Sequence, residues 1–374
     1  MKTIGIITIH KIYNYGSVFQ AYALQKVCES LGYKAEIIDY QFPNDYHKRK
    51  ILAARQDSQP SEPKYIKLLF ARALMRQHRG ISEFVKKYEH LSPQSYSSPQ
   101  DLLADVPRYD IYITGSDQLW SPRHCKGDPA FMLHFAPDEA AKISYAASIG
   151  TDYIPEELVH SYREYLSRYD AISVREESGV RIVNELTGKN ARVVLDPTLL
   201  LDRTEWSRIA SPRRQVRKKY VLCYFLNYSF NAFPYVDRLA EHIRRETGYE
   251  IVRVARPPHK LDLFNTGYRI GASPEEFLAL VRDAEIVLTT SFHGTAFAVN
   301  FGKPVLSVVK GLQSSDSRQA GLLRDLGLEN NILPVNSDLP SSSRAFYDVD
   351  KMTQNLGLMR EKSFEFLKNT LNGI

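Results

Sequence analysis

The chain has 374 residues, 43% of them hydrophobic and 25% charged, and a net charge of +6. That composition belongs to a globular chain long enough for two cores and excludes a disordered one. No apolar run approaches the ~20 residues of a membrane-crossing helix, and three scattered cysteines (Cys28, Cys125, Cys223) argue against a disulfide framework or a Cys-based zinc site.

Read in chain order, the pattern alternates strand and helix. The segment Met1–Ile9 is too short and too β-branched for a secretory signal, and no small-residue cleavage site follows it. It predicts a first buried strand, Thr3–Ile9. Ser17–Leu31 reads as a helix that Gly32 ends, and Ala35–Asp39 as the next strand. Strands are expected at Tyr109–Thr114, Ile143–Ala147, Ala171–Val174 and Arg192–Leu195, with helices at Pro155–Arg168 and Glu176–Leu186. This is the rhythm of a parallel, doubly wound sheet. Residues 1–201 are therefore expected to form an N-terminal Rossmann-like domain. The polar, basic stretch 202–219 reads as a linker.

A second series follows in residues 220–345. It has strands at Tyr220–Leu226, Glu250–Ala255, Glu285–Thr290 and Val305–Val309, and helices at Val236–Thr247 and Pro274–Arg282. Ser273-Pro-Glu-Glu276 is a helix-start signal. The tail 346–374 holds a helix, Lys351–Leu371, expected to cross back to the N-terminal domain. The fold class is α/β, with two Rossmann-like domains facing a central cleft. Residues 46–90 depart from the plan, with eleven Lys/Arg against four Asp/Glu. Ile66, Leu69, Phe70, Ala73 and Leu74 share one helical face there. A basic amphipathic helix can lie on an anionic membrane; the plainer reading, favoured here, docks it on the domain core.

In a parallel sheet the loops after the strands share one rim, where ligands bind. Here those loops are Asn14-Tyr15-Gly16-Ser17, Gly115-Ser116-Asp117-Gln118, Ser148-Ile149-Gly150, Arg175-Glu176-Glu177-Ser178, Ser291-Phe292-His293-Gly294-Thr295, and Lys310-Gly311 with Ser315–Arg318. Six such loops, small, polar and charged, make a site signal. Each residue also has a plainer alternative. Arg175 could pair with Glu176 or Glu177, Asp117 could cap a turn, Asn14 and Gly16 could be turn formers, and His293 could be a satisfied buried histidine. The 23 tyrosines suit sheet packing or a sugar site equally. His10, His124 and His134 are given no role. No nucleophile elbow, Walker loop or Gly-x-Gly-x-x-Gly after the first strand is present, which argues against a hydrolase, an NTPase and an NAD enzyme.

In this order and spacing, certain pieces resemble the polysaccharide pyruvyl transferase family. They are Asn14-Tyr-Gly16 with Gln20–Leu24, Gly115–Trp120, Ser144–Gly150, Ser173-Val-Arg-Glu176, Leu195-Asp-Pro-Thr198, Ser291–Gly294 and Asp316-Ser-Arg318. The resemblance spans about residues 3 to 330. It implies a GT-B-like fold and transfer of pyruvate from phosphoenolpyruvate to two hydroxyls of a cell-surface glycan sugar, as a cyclic ketal with release of phosphate. The family's histidine motif usually reads Ser-Arg-Leu-His or similar. Ser291-Phe292-His293 lacks that arginine, so either Arg318 or Lys310 supplies the charge or donor binding is altered.

Such a donor carries a carboxylate and a phosphate, and two cationic or N–H-rich patches would hold it. On this reading the donor residues are Arg175, Ser291, His293, Gly294, Thr295, Lys310 and Arg318. The acceptor residues are Asn14, Tyr15, Ser116, Asp117, Gln118 and Ser148. His293, with an ordinary imidazole pKa near ~6.5, can act as acid or base, and Asp117 can orient or deprotonate a hydroxyl. No metal and no cofactor beyond the phosphoenolpyruvate co-substrate is expected. The expected partners are that donor and a sugar or lipid-linked oligosaccharide, with no nucleic acid, in a cytoplasmic protein that touches the membrane, if at all, through 46–90. The alternatives are a GT-B glycosyltransferase using a nucleotide sugar, and a non-catalytic glycan binder.

Overall fold

The structure, a computed structural model, describes residues 1–44, 46–47, 70–226, 230–254, 269–312, 318–340 and 348–374. The chain divides into two units. Unit 1 holds Met1–Gln59, Glu83–Leu200 and Met359–Ile374; unit 2 holds Pro60–Ser82 and Leu201–Leu358. Each builds one parallel sheet between helices, so the fold is α/β with two Rossmann-like units.

In unit 1 the elements run β1 (Thr3–Ile7), α1 (Tyr15–Ser30), β2 (Lys34–Tyr40), α2 (Ala71–Tyr88, which begins in unit 2), β3 (Leu91–Tyr96), α3 (Pro99–Ala104), β4 (Ile111–Thr114), β5 (Ala141–Ala147), α4 (Glu156–Leu166), β6 (Ala171–Val174), α5 (Glu177–Thr187) and β7 (Ala191–Val193). The sheet order is β3-β2-β1-β4-β5-β6-β7, every pair parallel. Central strands such as β1, with Ile4, Ile6 and Ile7 wholly buried, are continuous apolar runs because helices cover both faces. The strand order reverses between β1 and β4, so their following loops diverge and open a crevice at the carboxyl ends.

Unit 2 contains α6 (Arg203–Ile209), β8 (Tyr220–Tyr224), α7 (Tyr235–Thr247), β9 (Glu250–Arg253), α8 (Pro274–Arg282), β10 (Ile286–Thr289), α9 (Phe292–Asn300), β11 (Val305–Val309), α10 (Arg318–Asp325) and β12 (Ile332–Pro334). Its order is β12-β11-β10-β8-β9, also parallel, with the reversal between β8 and β10. The last helix, α11 (Val349–Asn372), starts in unit 2 and ends in unit 1. Its unit 1 part is tied down: Leu195 N donates to Ser363 Oγ at 3.0 Å, and Arg360 Nε to Leu199 O at 2.6 Å.

One expectation changes. The stretch 202–219, expected as a linker, opens with α6, where Asp202 and Glu205 close a capping box. Trp206 of that helix packs against Phe297, ring centroids 5.0 Å apart. An indole that can be buried outweighs a polar surrounding sequence. Of the basic segment 46–90, residues 48–69, including Ile66 and Leu69, lie outside the described residues. The described helix α2 turns Ile81, Phe84 and Val85 inward, and Phe84 meets Phe19, Tyr22 and Tyr88 at 4.7–5.9 Å. Docking takes up this apolar face, while Arg72, Arg79, Lys86 and Lys87 face solvent. No described helix is long and apolar enough to cross a membrane.

Candidate functional site

At the unit 1 rim, the loop after β4 is a hub. Asp117 sits in the left-handed region (φ 80°), unusual for a residue with a side chain, and Ala146 of β5 does so too (φ 55°). The surroundings hold Asp117 there. Its carbonyl accepts from Leu119 N at 2.8 Å and Ser148 N at 2.9 Å. Its carboxylate accepts from Gln118 N at 2.9 Å and, across the β1/β4 crevice, from Ser17 Oγ at 2.8 Å. That carboxylate therefore lies at the start of α1, where a ligand anion would otherwise be favoured.

Arg175 follows β6, and its side chain is 2% exposed. Nη1 donates to Asp196 Oδ2 at 2.9 Å, and Nη2 lies 3.9 Å from Asp117 Oδ1. Asp196 also accepts from Ser116 Oγ at 2.8 Å and from the Thr198 amide and hydroxyl at 3.0 and 2.7 Å. The sequence assigns Arg175 to a donor patch of the N-terminal domain, separate from that of His293. The structure places it in unit 1, with its charge met by Asp196 and facing Asp117. Its sequence neighbour Glu176 turns to the β5 loop instead, where Oε1 accepts from Ser148 Oγ, Ile149 N and Gly150 N at 2.8–3.1 Å.

Three expected acceptor residues point inward. Ser116 and Ser148 are wholly buried, with hydroxyls on Asp196 and Glu176, and Tyr15 is 2% exposed inside the unit. Ser116 and Ser148 lie within two residues of the ends of β4 and β5, and Tyr15 opens α1. The exposed tyrosine of the β1 turn is Tyr13. Asn14 caps α1 by accepting from Gly16 N at 2.9 Å and remains half-buried, as do Asp117 and Gln118.

The unit 2 rim is built on α9. Ser291 caps it, with Oγ accepting from Gly294 N at 3.3 Å. His293 occupies the second helical position, nearly buried, with its ring edge-on to Phe292 at 5.3 Å. A β-carbon on Gly294 would collide with Thr289 Oγ1 and lie 2.9 Å from Tyr224 Cδ1, so only glycine lets the helix start this close to the sheet. The Thr295 hydroxyl serves the interior, on Ser291 O at 3.2 Å and Ser307 Oγ at 3.0 Å. Gln319 Nε2 donates to Thr290 O at 2.7 Å and holds the first turn of α10, which carries Arg318, against the histidine turn. Lys310 is exposed after β11. Ser291 caps α9, whose first turn has no acid, so its N-terminus favours an anion. Asp316 and Ser317 lie outside the described residues.

Sequence reading quoted Asp196 and Glu176 without a site role, and missed Gln319 and the group His10–Lys11–Asp39 at the ends of β1 and β2. His10 Nε2 lies 3.2 Å from Asp39 Oδ1, and Lys11 Nζ is 2.6 Å from both carboxylate oxygens. Burial raises the Asp39 carboxyl, but the hydrogen bonds from His10 and Lys11, with their charge, outweigh it and bring it down to about 2. The cysteines offer no nucleophile: burial pushes the Cys28 and Cys223 thiols up to about 12 and Cys125 well up too. Among the described residues no group of three or more His, Cys, Asp or Glu could hold a metal ion.

Two parallel sheets of this connectivity define a GT-B-like α/β protein. Staphylococcal MnaA in complex with UDP (S. aureus) is similar over 100% of this chain and 98% of its own, at 12% identity and a TM-score of 0.54. The Streptomyces sp. SF2575 glycosyltransferase SsfS6 matches over 97% and 96% at 14% identity and TM-score 0.44. The Neisseria meningitidis UDP-GlcNAc 2-epimerase bound to UDP-GlcNAc matches over 99% and 94% at 9% identity and TM-score 0.46. At such identities the likeness concerns the fold. No curated protein matches the chain. The model of the polysaccharide pyruvyl transferase family matches residues 14–309, and the chain belongs to that family. The match runs from the cap of α1 to the end of β11, so it takes in Asp117 and His293 and stops just short of Lys310 and Arg318.

Proposed function

We propose that the protein transfers pyruvate from phosphoenolpyruvate to two hydroxyls of a sugar in a cell-surface polysaccharide or its lipid-linked precursor. The observation that carries this reading is the opposite electrostatic character of the two rims. Unit 2 offers a multiply charged donor the N-terminus of α9, which has no acid in its first turn, with His293, Arg318 and Lys310. Unit 1 already holds the carboxylate of Asp117 at its crevice, which suits a neutral, hydroxyl-bearing acceptor.

On this reading the donor's methylene carbon takes a proton and becomes the ketal methyl group. A sugar hydroxyl bonds to the central carbon, the carbon–oxygen bond to phosphate breaks, and the second hydroxyl closes the ring. Of the two hydroxyl protons, one balances the new methyl group and the other leaves on the phosphate. His293, in neutral or protonated form, serves the donor side, and Asp117 receives a proton from an acceptor hydroxyl. Arg175 takes the task of fixing Asp117 rather than gripping the donor. The donor is an intracellular metabolite, which places the reaction in the cytoplasm, and the basic side chains of α2 are the surface for any contact with anionic lipid.

The test is phosphate release from phosphoenolpyruvate with a panel of glycan acceptors, beside thermal shift with phosphoenolpyruvate and with nucleotide sugars. Acceptor-dependent phosphate release and stabilisation by phosphoenolpyruvate alone are expected. Stabilisation by nucleotide sugars only would make the protein a glycosyltransferase; glycan binding without phosphate release would make it a binding protein.

A further inference from the structure

The stretch 202–219 carries seven Lys/Arg against two Asp/Glu, none of which the proposed reaction uses. Its cations gather at the end. Arg213, Arg214, Arg217, Lys218 and Lys219 fill five of the seven positions ahead of Tyr220, and no acid stands between Glu205 and Asp237. All five are exposed. The segment leads into β8 at the amino end of the unit 2 strands, so the donor rim, at the carboxyl ends, lies at the other end of the same sheet.

The segment is held from beneath. Val216 is buried, Ser211 N donates to Glu275 O at 2.8 Å, and Ser211 O accepts from Arg282 Nη2 at 3.2 Å. Arg214 Nε donates to Val216 O at 2.8 Å and Gln215 Nε2 to Arg213 O at 2.9 Å. At the start of β9, Glu250 N donates to Lys219 O at 3.0 Å. The backbone is thus tied to unit 2 while the five cationic side chains stay exposed. Two nearby acids are already engaged: Glu250 pairs with Lys218 at 2.8 Å, and Asp283 accepts from Arg282 at 2.8 and 3.0 Å. The Lys218 side chain is 77% exposed in its pair, so water screens that attraction and leaves it weak.

A fixed run of exposed cations suits a diffuse anionic surface. At a layer of acidic lipids each Lys or Arg adds to binding, provided it comes within a Debye length of about 8–10 Å. Nucleic-acid bases would call for aromatic rings among the cations, and residues 211–219 hold none.

We propose that residues 213–219 form a docking surface for the anionic phospholipid headgroups of a membrane, a second contact beside the basic side chains of α2; this rests on the reading that the acceptor is a lipid-linked precursor. Because the segment lies at the end of the sheet away from the donor rim, docking through it leaves that rim uncovered.

The test is co-sedimentation of the full chain with vesicles of equal parts phosphatidylglycerol and phosphatidylcholine, and with vesicles of phosphatidylcholine alone, without substrates, from about 0.1 M salt upward. Wild type should bind the anionic vesicles only, and less as salt rises. Arg213→Ser, Arg217→Ser and Lys218→Ser should each weaken that binding about fivefold, and together about a hundredfold. All three positions are exposed, so the variants should melt as wild type does. No binding of wild type to anionic vesicles, or a triple variant that binds them as wild type does, would overturn the surface. So would a loss seen only with Arg72→Ser and Lys86→Ser on α2. Binding of duplex RNA in preference to the vesicles would make the segment a nucleic-acid surface and overturn the lipid assignment. If vesicle binding depends on the three side chains but no phosphate is released from phosphoenolpyruvate on any glycan, the docking surface stands and the pyruvyl-transfer reading fails.

Discussion

The two rims have the same topological origin, the carboxyl ends of parallel strands where the strand order reverses, yet they carry opposite chemistry. In unit 2 the start of α9 has no acid in its first turn, and Arg318 and Lys310 are the cations of the neighbouring segments. In unit 1 the protein supplies its own anions: Asp117 sits on Ser17 at the start of α1, and Glu176 on the amides of Ile149 and Gly150. A strand-end crevice is thus not an anion site by topology alone. It becomes one only when no internal carboxylate takes the amides and hydroxyls first.

The sharpest way to break this comparison is to disable each rim separately. His293→Ala should lower the rate of phosphate release by about 10²–10⁴ and weaken stabilisation by phosphoenolpyruvate. Asp117→Asn should lower the rate as well but leave that stabilisation intact. If the two thermal-shift results are exchanged, the rims have been assigned the wrong way round.

A second test concerns the support behind Asp117. Asp196→Ala leaves the buried Arg175 guanidinium without its main counter-charge, and removing one partner of such a pair costs about 3–5 kcal/mol, read by urea unfolding. Thr198→Val removes a hydroxyl from the same carboxylate and should cost about 1 kcal/mol. A loss for Asp196→Ala no larger than for Thr198→Val would mean that the ion pair does not hold the rim together.

On the other rim, Gly294→Ala tests how closely α9 must approach the sheet. The added methyl group meets Thr289 and Tyr224, and overpacking of that kind costs about 1–3 kcal/mol. The start of α9 should shift with it, so the variant should lose activity at temperatures where it is still folded. Full activity with unchanged stability would show that the turn has slack and that glycine is there for another reason.

Much of this was legible in the chain, and the reasons are local. Strands such as β1, β10 and β11 are unbroken apolar runs, and the polar residues that follow them mark the rims. Edge strand β3 was missed because Leu91-Ser-Pro-Gln-Ser-Tyr96 is mostly polar and contains a proline, which an edge tolerates. Helix α6 was missed because its polar sequence hid Trp206. At the site, Asp117 and His293 stand out by position, but their supports do not. Asp196 reaches Arg175 across 21 residues, and Gln319 reaches Thr290 across 29. No periodicity reports such pairings; only the sheet order brings them together. The same lack of a local signal hid the inward turn of Ser116 and Ser148, whose hydroxyls look free in a loop and are drawn in by the carboxylates of Asp196 and Glu176.

The smallest predicted effect separates unit 1 from a nucleotide-binding sheet. In dinucleotide folds an acid near the end of the second strand takes the ribose hydroxyls. Asp39 stands near the end of β2, but Lys11 engages both its oxygens and His10 one of them, so it acts as an internal tie. The tie has a pH signature. The folded carboxyl titrates at about 2, below the ~3.9 of an unfolded aspartate. Its contribution is therefore fully present above pH ~4 and is lost as pH falls through about 2. Solvent screening at this partly exposed site leaves about 1 kcal/mol. Asp39→Asn should be less stable than wild type by that amount at pH 7, with the gap closing between pH 4 and 2 in urea unfolding. A gap that stays constant down to pH 2 would mean that Asp39 is not held as an ion-paired tie. The position would then be open to a ligand hydroxyl, and unit 1 would have to be considered again as a nucleotide site.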